Sequence, residues 1–214
     1  MKDNYSVVLE ESRREFAQKN TMEMARASGA AFSIYPPLSW REFLIPYLGR
    51  AYQVIWPTGE VLLYPTKTEA STSTALILIH YLIKASGKPA AGNWLPFSQL
   101  WGGNSYNTAF KKRALDPLAD YFGGKEALFN DILLNRLRAR QGKEQRAFLI
   151  MALPRLPLMI RLDPGDKEVP SRAAILFDAV ANEYLATEDL AAVGENLAAR
   201  LLHWGREQEK HGLL

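Results

Sequence analysis

Residues 74–85 read TALILIHYLIKA, and this run decides the fold class. Leu76, Ile77, Leu78, Ile79, Tyr81, Leu82 and Ile83 leave no polar face, so a helix here is apolar all round and belongs at the centre of the protein. The run is long for a strand, and Ser86-Gly87-Lys88-Pro89 supplies a stop. A central helix needs apolar surfaces on several sides, so the flanking segments must provide them.

Upstream, residues 40–48, 52–56 and 61–64 are rich in aromatic and branched side chains, with Pro57-Thr58-Gly59 as turn chemistry. They predict a hairpin or meander of antiparallel strands. Downstream, residues 147–153 and 158–162 read as two more strands, joined by Pro154-Arg155-Leu156-Pro157 and followed by the turn Asp163-Pro164-Gly165-Asp166. Residues 173–177 fit a strand or the start of a helix. Amphipathic helices are predicted over 4–19, 22–28, 105–121, 125–140 and 187–210. Gly29 stops the second of these, and Gly123-Gly124 divides the third from the fourth. In the last, Thr187 is the expected N-cap and Glu188 and Asp189 occupy the first turn, with Leu190, Val193, Leu197, Leu201 and Trp204 as its buried stripe. The reading is a single α+β domain over residues 1–214. It has a small, mostly antiparallel sheet packed with five to six helices, residues 1–30 being a helical extension to a core of 31–214.

The chain has 214 residues, enough for a self-sufficient core, and no cysteine. Disulfides, thiolate metal sites, cysteine-held clusters and cysteine nucleophiles are excluded together. Three histidines, His80, His203 and His211, are a thin supply for a transition metal, and no metal site is assigned. No charged start followed by an apolar run opens the sequence, and its longest apolar stretch falls short of the ~20 residues of a membrane span. A soluble, cytoplasmic protein is expected.

Charge is uneven. Residues 111–161 hold eleven Lys/Arg against five Asp/Glu, while residues 163–196 hold two against eight. The basic band includes Lys111, Lys112, Arg113, Arg136, Arg138, Arg140, Lys143 and Arg146. It reads either as one of two offsetting solvated faces or as a surface for an anionic partner. No nucleic-acid motif accompanies it, and the acidic segment would repel a phosphate backbone, which argues against nucleic acid.

Candidate chemistry centres on His80, the lone imidazole of the apolar helix. It is either a core histidine with a bonded ring nitrogen or a ligand or base facing a pocket. Residues 94–106 hold Trp94, Phe97, Trp101 and Tyr106 with the pair Gly102-Gly103, suited to pocket walls and close backbone approach, or simply to a turn packed on the core. Asp178 ends an apolar run with Glu183, Glu188 and Asp189 nearby in sequence, a possible acid–base group if the fold gathers them. Asp163, Asp166 and Glu168 lack the later ligands of a calcium loop.

These motifs occur in one order that resembles a known family. Leu78-Ile79-His80-Tyr81-Leu82-Ile83 is followed by Gly92-Asn93-Trp94-Leu95-Pro96-Phe97, Gly102-Gly103, Tyr106 and Phe110. Then come Leu153-Pro154-Arg155-Leu156-Pro157-Leu158, Gly165-Asp166-Lys167-Glu168, Ile175-Leu176-Phe177-Asp178 and Tyr184-Leu185-Ala186-Thr187-Glu188-Asp189-Leu190. Over residues 22–202 the chain is similar to the prokaryotic domain-of-unknown-function family 3786. Asp163 and Val169 depart from the pattern, standing where it has an aromatic residue and a phenylalanine. The resemblance implies an anaerobic setting and, because some members are joined to iron–sulfur modules like those of corrinoid proteins, a link to one-carbon or corrinoid metabolism. It implies no assigned activity.

The reading is a small-molecule or cofactor-binding accessory module, with His80, Tyr81, Trp94, Phe97, Trp101, Gly102, Gly103, Tyr106 and Asp178 as the candidate ligand-binding set. No cofactor is specified, and the partner is a small molecule or a protein. The alternatives are an enzyme using His80 or an Asp178-centred carboxylate group, and anionic-partner binding through the 111–161 band.

Overall fold

The computed structural model describes residues 4–35, 40–142, 146–166 and 168–210. The fold is α+β, with two five-stranded antiparallel sheets and seven α-helices among the described residues. The first sheet is a plain meander of β1 (Ala31–Tyr35), β2 (Trp40–Tyr47), β3 (Arg50–Trp56), β4 (Glu60–Tyr64) and β5 (Thr68–Glu69). Tyr47 pairs with Arg50, so Leu48-Gly49 is a two-residue hairpin loop. Both have positive φ (47° and 79°), the tight turn whose twist matches its strands.

The second sheet has the order β6-β10-β9-β8-β7, from β6 (Trp94–Pro96), β7 (Arg140–Gln141), β8 (Ala147–Leu153), β9 (Leu156–Asp163) and β10 (Arg172–Asp178). Pairing of β10 with β9 resolves residues 173–177 as strand. The sheets meet where the Leu48 N–H donates to the Ala152 carbonyl (3.1 Å).

The helices are α1 (Asn4–Gln18), α2 (Thr21–Ser28), α3 (Thr72–Lys84), α4 (Gly103–Phe110), α5 (Asp116–Phe122), α6 (Glu126–Asn135) and α7 (Thr187–Lys210). Ser71 caps α3 by accepting from the Thr74 N–H, and Gly29, at φ 71°, ends α2 as expected. The single helix expected over 105–121 is broken by a π-helical turn, Lys111–Leu115. Pro117 has no N–H to continue the ladder, and the wider turn, with the Asp116 N–H returning to the Lys111 carbonyl, absorbs the mismatch. The helix expected over 125–140 stops at Asn135, because Arg138 adopts a left-handed φ of 52° and sends the chain into β7.

α3 is buried on every side from Thr74 to Ile79 and again at Tyr81 and Leu82. It packs against α1, α2, α7 and β4. Phe16 of α1 lies under it beside Phe43, ring centroids 6.0 Å apart. α7 buries Leu190, Val193, Leu197 and Leu201 completely. Gly194 lets it close on Phe110, since a Cβ there would sit 2.5 Å from the ring. No helix among the described residues is long and apolar enough to cross a membrane.

The far end of α7 is tied down electrostatically. Glu209 accepts from the Lys125 ammonium (2.8 Å) and the Tyr121 hydroxyl (2.6 Å), while Lys125 stands 4.0 Å over the Tyr121 ring. These donors, Lys125 first, hold the Glu209 carboxyl below the usual glutamate range, and desolvation with Glu209 beside it pushes the Tyr121 phenol up to about 12. A carboxyl whose folded pKa is lowered stabilises above its unfolded value and stops doing so as pH falls through the folded one. We therefore expect Glu209→Gln to lower the melting temperature slightly near neutral pH. The gap from the native chain should narrow below about pH 4. Melts across that range check it.

Candidate functional site

Ser12, His80 and Asp189 come from three helices and form one hydrogen-bonded chain. His80 Nδ1 lies 2.9 and 3.0 Å from the two Asp189 carboxylate oxygens, and Nε2 lies 2.8 Å from Ser12 Oγ. Ser12 Oγ is also 2.8 Å from the Val8 carbonyl. The carboxylate fixes a proton on Nδ1. With a neutral ring, the Ser12 hydroxyl donates to Nε2. With a charged ring, Nε2–H donates to Ser12, which then donates to Val8. Every group is satisfied either way, which is what a polar chain in an apolar helix pack requires.

The order of bonds is that of a serine–histidine–aspartate triad, but the surroundings are different. Ser12 is only 6% exposed and sits inside α1, where the neighbouring N–H groups serve the helix ladder. A triad needs an accessible hydroxyl on a sharp turn, with free N–H donors aimed at the developing oxyanion. The geometry here latches α1 to α3 and α7.

Asp189 also forms part of the wall of a cleft of about 430 Å³ between α1, the start of α3, α4 and α7. Tyr5, Leu76, Ile77, Tyr106, Ala109 and Phe110 give it an apolar interior. Thr72, Ser73, Glu188, Glu195 and Arg113 form its polar edge, Arg113 lying 3.6 Å from Glu195. Three carboxylates against one paired guanidinium make the cleft acidic.

The candidate ligand-binding residues fall in different places. Tyr106 lies on this cleft, and His80 reaches it through Asp189. Trp94 and Asp178 line a separate hollow of about 460 Å³ with Gly92, Met151 and Arg155. Asp178 is fully buried, and its carboxylate accepts the N–H groups of Ala91, Gly92 and Val180 at 3.0, 2.7 and 3.0 Å, so it pins the loop before β6. Tyr81 is in the core. Its hydroxyl donates to the Ser28 carbonyl (2.6 Å) and accepts from the Arg155 N–H (3.0 Å), its ring stacks on Tyr184, and burial drives its phenol far above the usual range. Phe97 is buried against Phe110 (4.4 Å) and Phe177 (6.0 Å). Trp101 is 85% exposed. Gly102 and Gly103 turn the chain into α4, clamped by Thr187 Oγ1 on the Trp101 carbonyl and by the Trp101 N–H on Asn182 (3.2 Å). A Cβ on Gly103 would lie 1.9 Å from the Phe97 carbonyl oxygen, so packing alone demands glycine there.

Asp163 pairs with Arg161 (3.1 Å), and Asp166 accepts the N–H groups of Glu168 and Val169, which hold its carboxyl below the usual range. Among the described residues no group of three or more His, Cys, Asp or Glu is arranged to hold a metal. Lys143 and His211 lie outside the described residues, and His203 makes a surface contact with Glu207 (3.3 Å).

Sequence reasoning missed Ser12, and it weighed Asp189 only as a first-turn residue of the last helix or as a general acid–base carboxylate. A signal for Ser12 was present: it is the single polar member of the helical stripe Tyr5, Val8, Leu9, Ser12, Phe16. Nothing local could pair Asp189 with a histidine so distant in sequence.

The fold and site define a single-domain α+β protein with a helix-bounded, aromatic-walled cleft. Residues 21–200 match the model of the domain of unknown function DUF3786, and the chain belongs to that family. No curated protein and no solved structure matches it.

Two substitutions test the local account. Gly103→Ala should destabilise by about 3 kcal/mol, because backbone has to move to admit the methyl. Asp189→Asn should cost about 2 kcal/mol through the weakened hydrogen bond to His80. Denaturant titration measures both, and a loss under about 0.5 kcal/mol in either would contradict the assigned role.

Proposed function

We propose that this chain is a binding module for a small organic molecule, held in the cleft walled by Tyr5, Tyr106 and Phe110. The acidic edge beside that aromatic wall carries the reading. Ligand sites are typically apolar hollows with a few convergent polar groups, and this cleft joins an apolar interior to Glu188, Asp189 and Glu195. An apolar or aromatic body bearing a positively charged or hydrogen-bond-donating group fits it, the cation resting near the ring faces and the carboxylates.

The anaerobic one-carbon or corrinoid setting implied by the family resemblance belongs to this proposal as a setting only, as does a cytoplasmic location. Both His80 nitrogens face protein groups, Asp189 and the enclosed Ser12, rather than an open coordination position, and the chain has no cysteine for a cluster. Aromatic amines, matched carboxylic acids and a corrinoid should be compared by calorimetry and thermal shift. The amines should bind and the acids should not. Ala109→Trp, which fills the cleft, should abolish binding while the melting temperature of the free protein changes little. Equal binding by amines and acids, or binding that survives Ala109→Trp, would overturn the proposal.

A second reading, hydrolysis through Ser12, His80 and Asp189, has the order of hydrogen bonds in its favour and the enclosure of Ser12 against it. Labelling of Ser12 by a fluorophosphonate, lost in His80→Ala, would establish it. We expect no labelling.

A further inference from the structure

A further concavity, of about 500 Å³, lies between the β2–β3 hairpin loop, the turn after α6, and β8. Arg50, Arg136, Arg138 and Arg140 line it, and none of its lining residues among those described is a carboxylate. Elsewhere Arg13, Lys88, Lys125, Arg146 and Arg161 each meet an acidic side chain. Among the described residues these four guanidinium groups have no ion pair, hydrogen bond or ring contact of their own. Pro46, Leu149 and Met151 add an apolar floor. Like charges gathered around one hollow give it a positive potential that favours an anion.

Two backbone features fix where these arginines sit. Arg138 holds a left-handed φ of 52°, where glycine or asparagine would be less strained. Gly49, at φ 79°, lets the hairpin loop close on the turn after α6: a Cβ would sit 2.8 Å from the Arg136 carbonyl oxygen. Behind that loop, the Arg200 guanidinium donates to the Tyr47 and Leu48 carbonyls at 3.0 and 2.6 Å. The two arginine-bearing turns are therefore held at fixed spacing.

We propose that this concavity is an anion site for a small organic molecule carrying two or more phosphate charges, its guanidinium groups gripping the phosphates and its apolar floor carrying the organic body. Planar guanidinium forks match phosphate oxygens in pairs, and four of them exceed what a single charge needs. The site is independent of the acidic cleft, which would repel such a ligand.

The test is calorimetric titration of the whole chain with ADP, inorganic pyrophosphate and a short single-stranded RNA, at fixed ionic strength. ADP should bind, pyrophosphate should bind more weakly for want of an apolar body, and RNA should bind no tighter than ADP. Arg138→Gly should weaken ADP binding at least tenfold while the melting temperature holds or rises, because the left-handed strain is relieved. Arg136→Gln should weaken it similarly with the backbone unchanged. Absence of ADP binding, or binding that both variants preserve, overturns the proposal. RNA binding tighter than ADP and lost in the same variants also overturns it, making the surface a nucleic-acid contact.

Discussion

A helix with no polar face has to be enclosed, and the enclosure of α3 governs the rest of this molecule. Its apolar side chains are buried on every side, so α1, α2, α7 and the first sheet must all close on it. Burying one such side chain is worth roughly 1.5–3 kcal/mol, and α3 supplies several. The cost falls on the polar groups that go in with it. His80 and Tyr81 are the polar rings on α3, and each is satisfied by bonds to distant segments. His80 reaches Ser12 and Asp189, and Tyr81 reaches Ser28 and Arg155.

Burial and connectivity are thus coupled. Hydrophobic contact has no direction and fixes no register between helices. A buried donor or acceptor left unmatched costs about 1–3 kcal/mol, so each polar group accepts only one arrangement of its neighbours. Asp178 does the same for the loop before β6 with three N–H groups, and Thr187 and Asn182 do it for the turn into α4. The residues that join elements across the fold are these polar ones. The same geometry explains why a serine–histidine–aspartate chain can exist here with an enclosed hydroxyl: its bonds are directed at α1 and α7.

The fold was legible because its decisive signals are local. The apolar run at 74–85, the turn at Pro57-Thr58-Gly59 and the Gly29 stop each act within a few residues, and each does in the structure what its chemistry predicts. The π-helical turn and the early end of α6 were less visible, because Pro117 and Arg138 alter the backbone without breaking the hydrophobic pattern. The site was legible only in part. His80 and Tyr106 could be singled out by type, but their neighbours are set by helix packing. Aromatic content identified rings without saying which would be buried: Phe97 packs in the core, while Trp101, four residues on, is exposed.

Charge carries the same lesson from sequence into space. The acidic segment 163–196 contributes Glu188, Asp189 and Glu195 to the aromatic-walled cleft, and the basic segment 111–161 contributes Arg136, Arg138 and Arg140 to the concavity at the turn after α6. Within the basic segment, Lys125, Arg146 and Arg161 are neutralised by carboxylates on the fold surface. Three of the segment's other arginines, Arg136, Arg138 and Arg140, line the concavity where α6 turns into β7. Part of the charge imbalance of the sequence thus falls on a particular surface, the one lined by Arg50, Arg136, Arg138 and Arg140. Its opposite sign at the acidic cleft means that one molecule cannot suit both hollows.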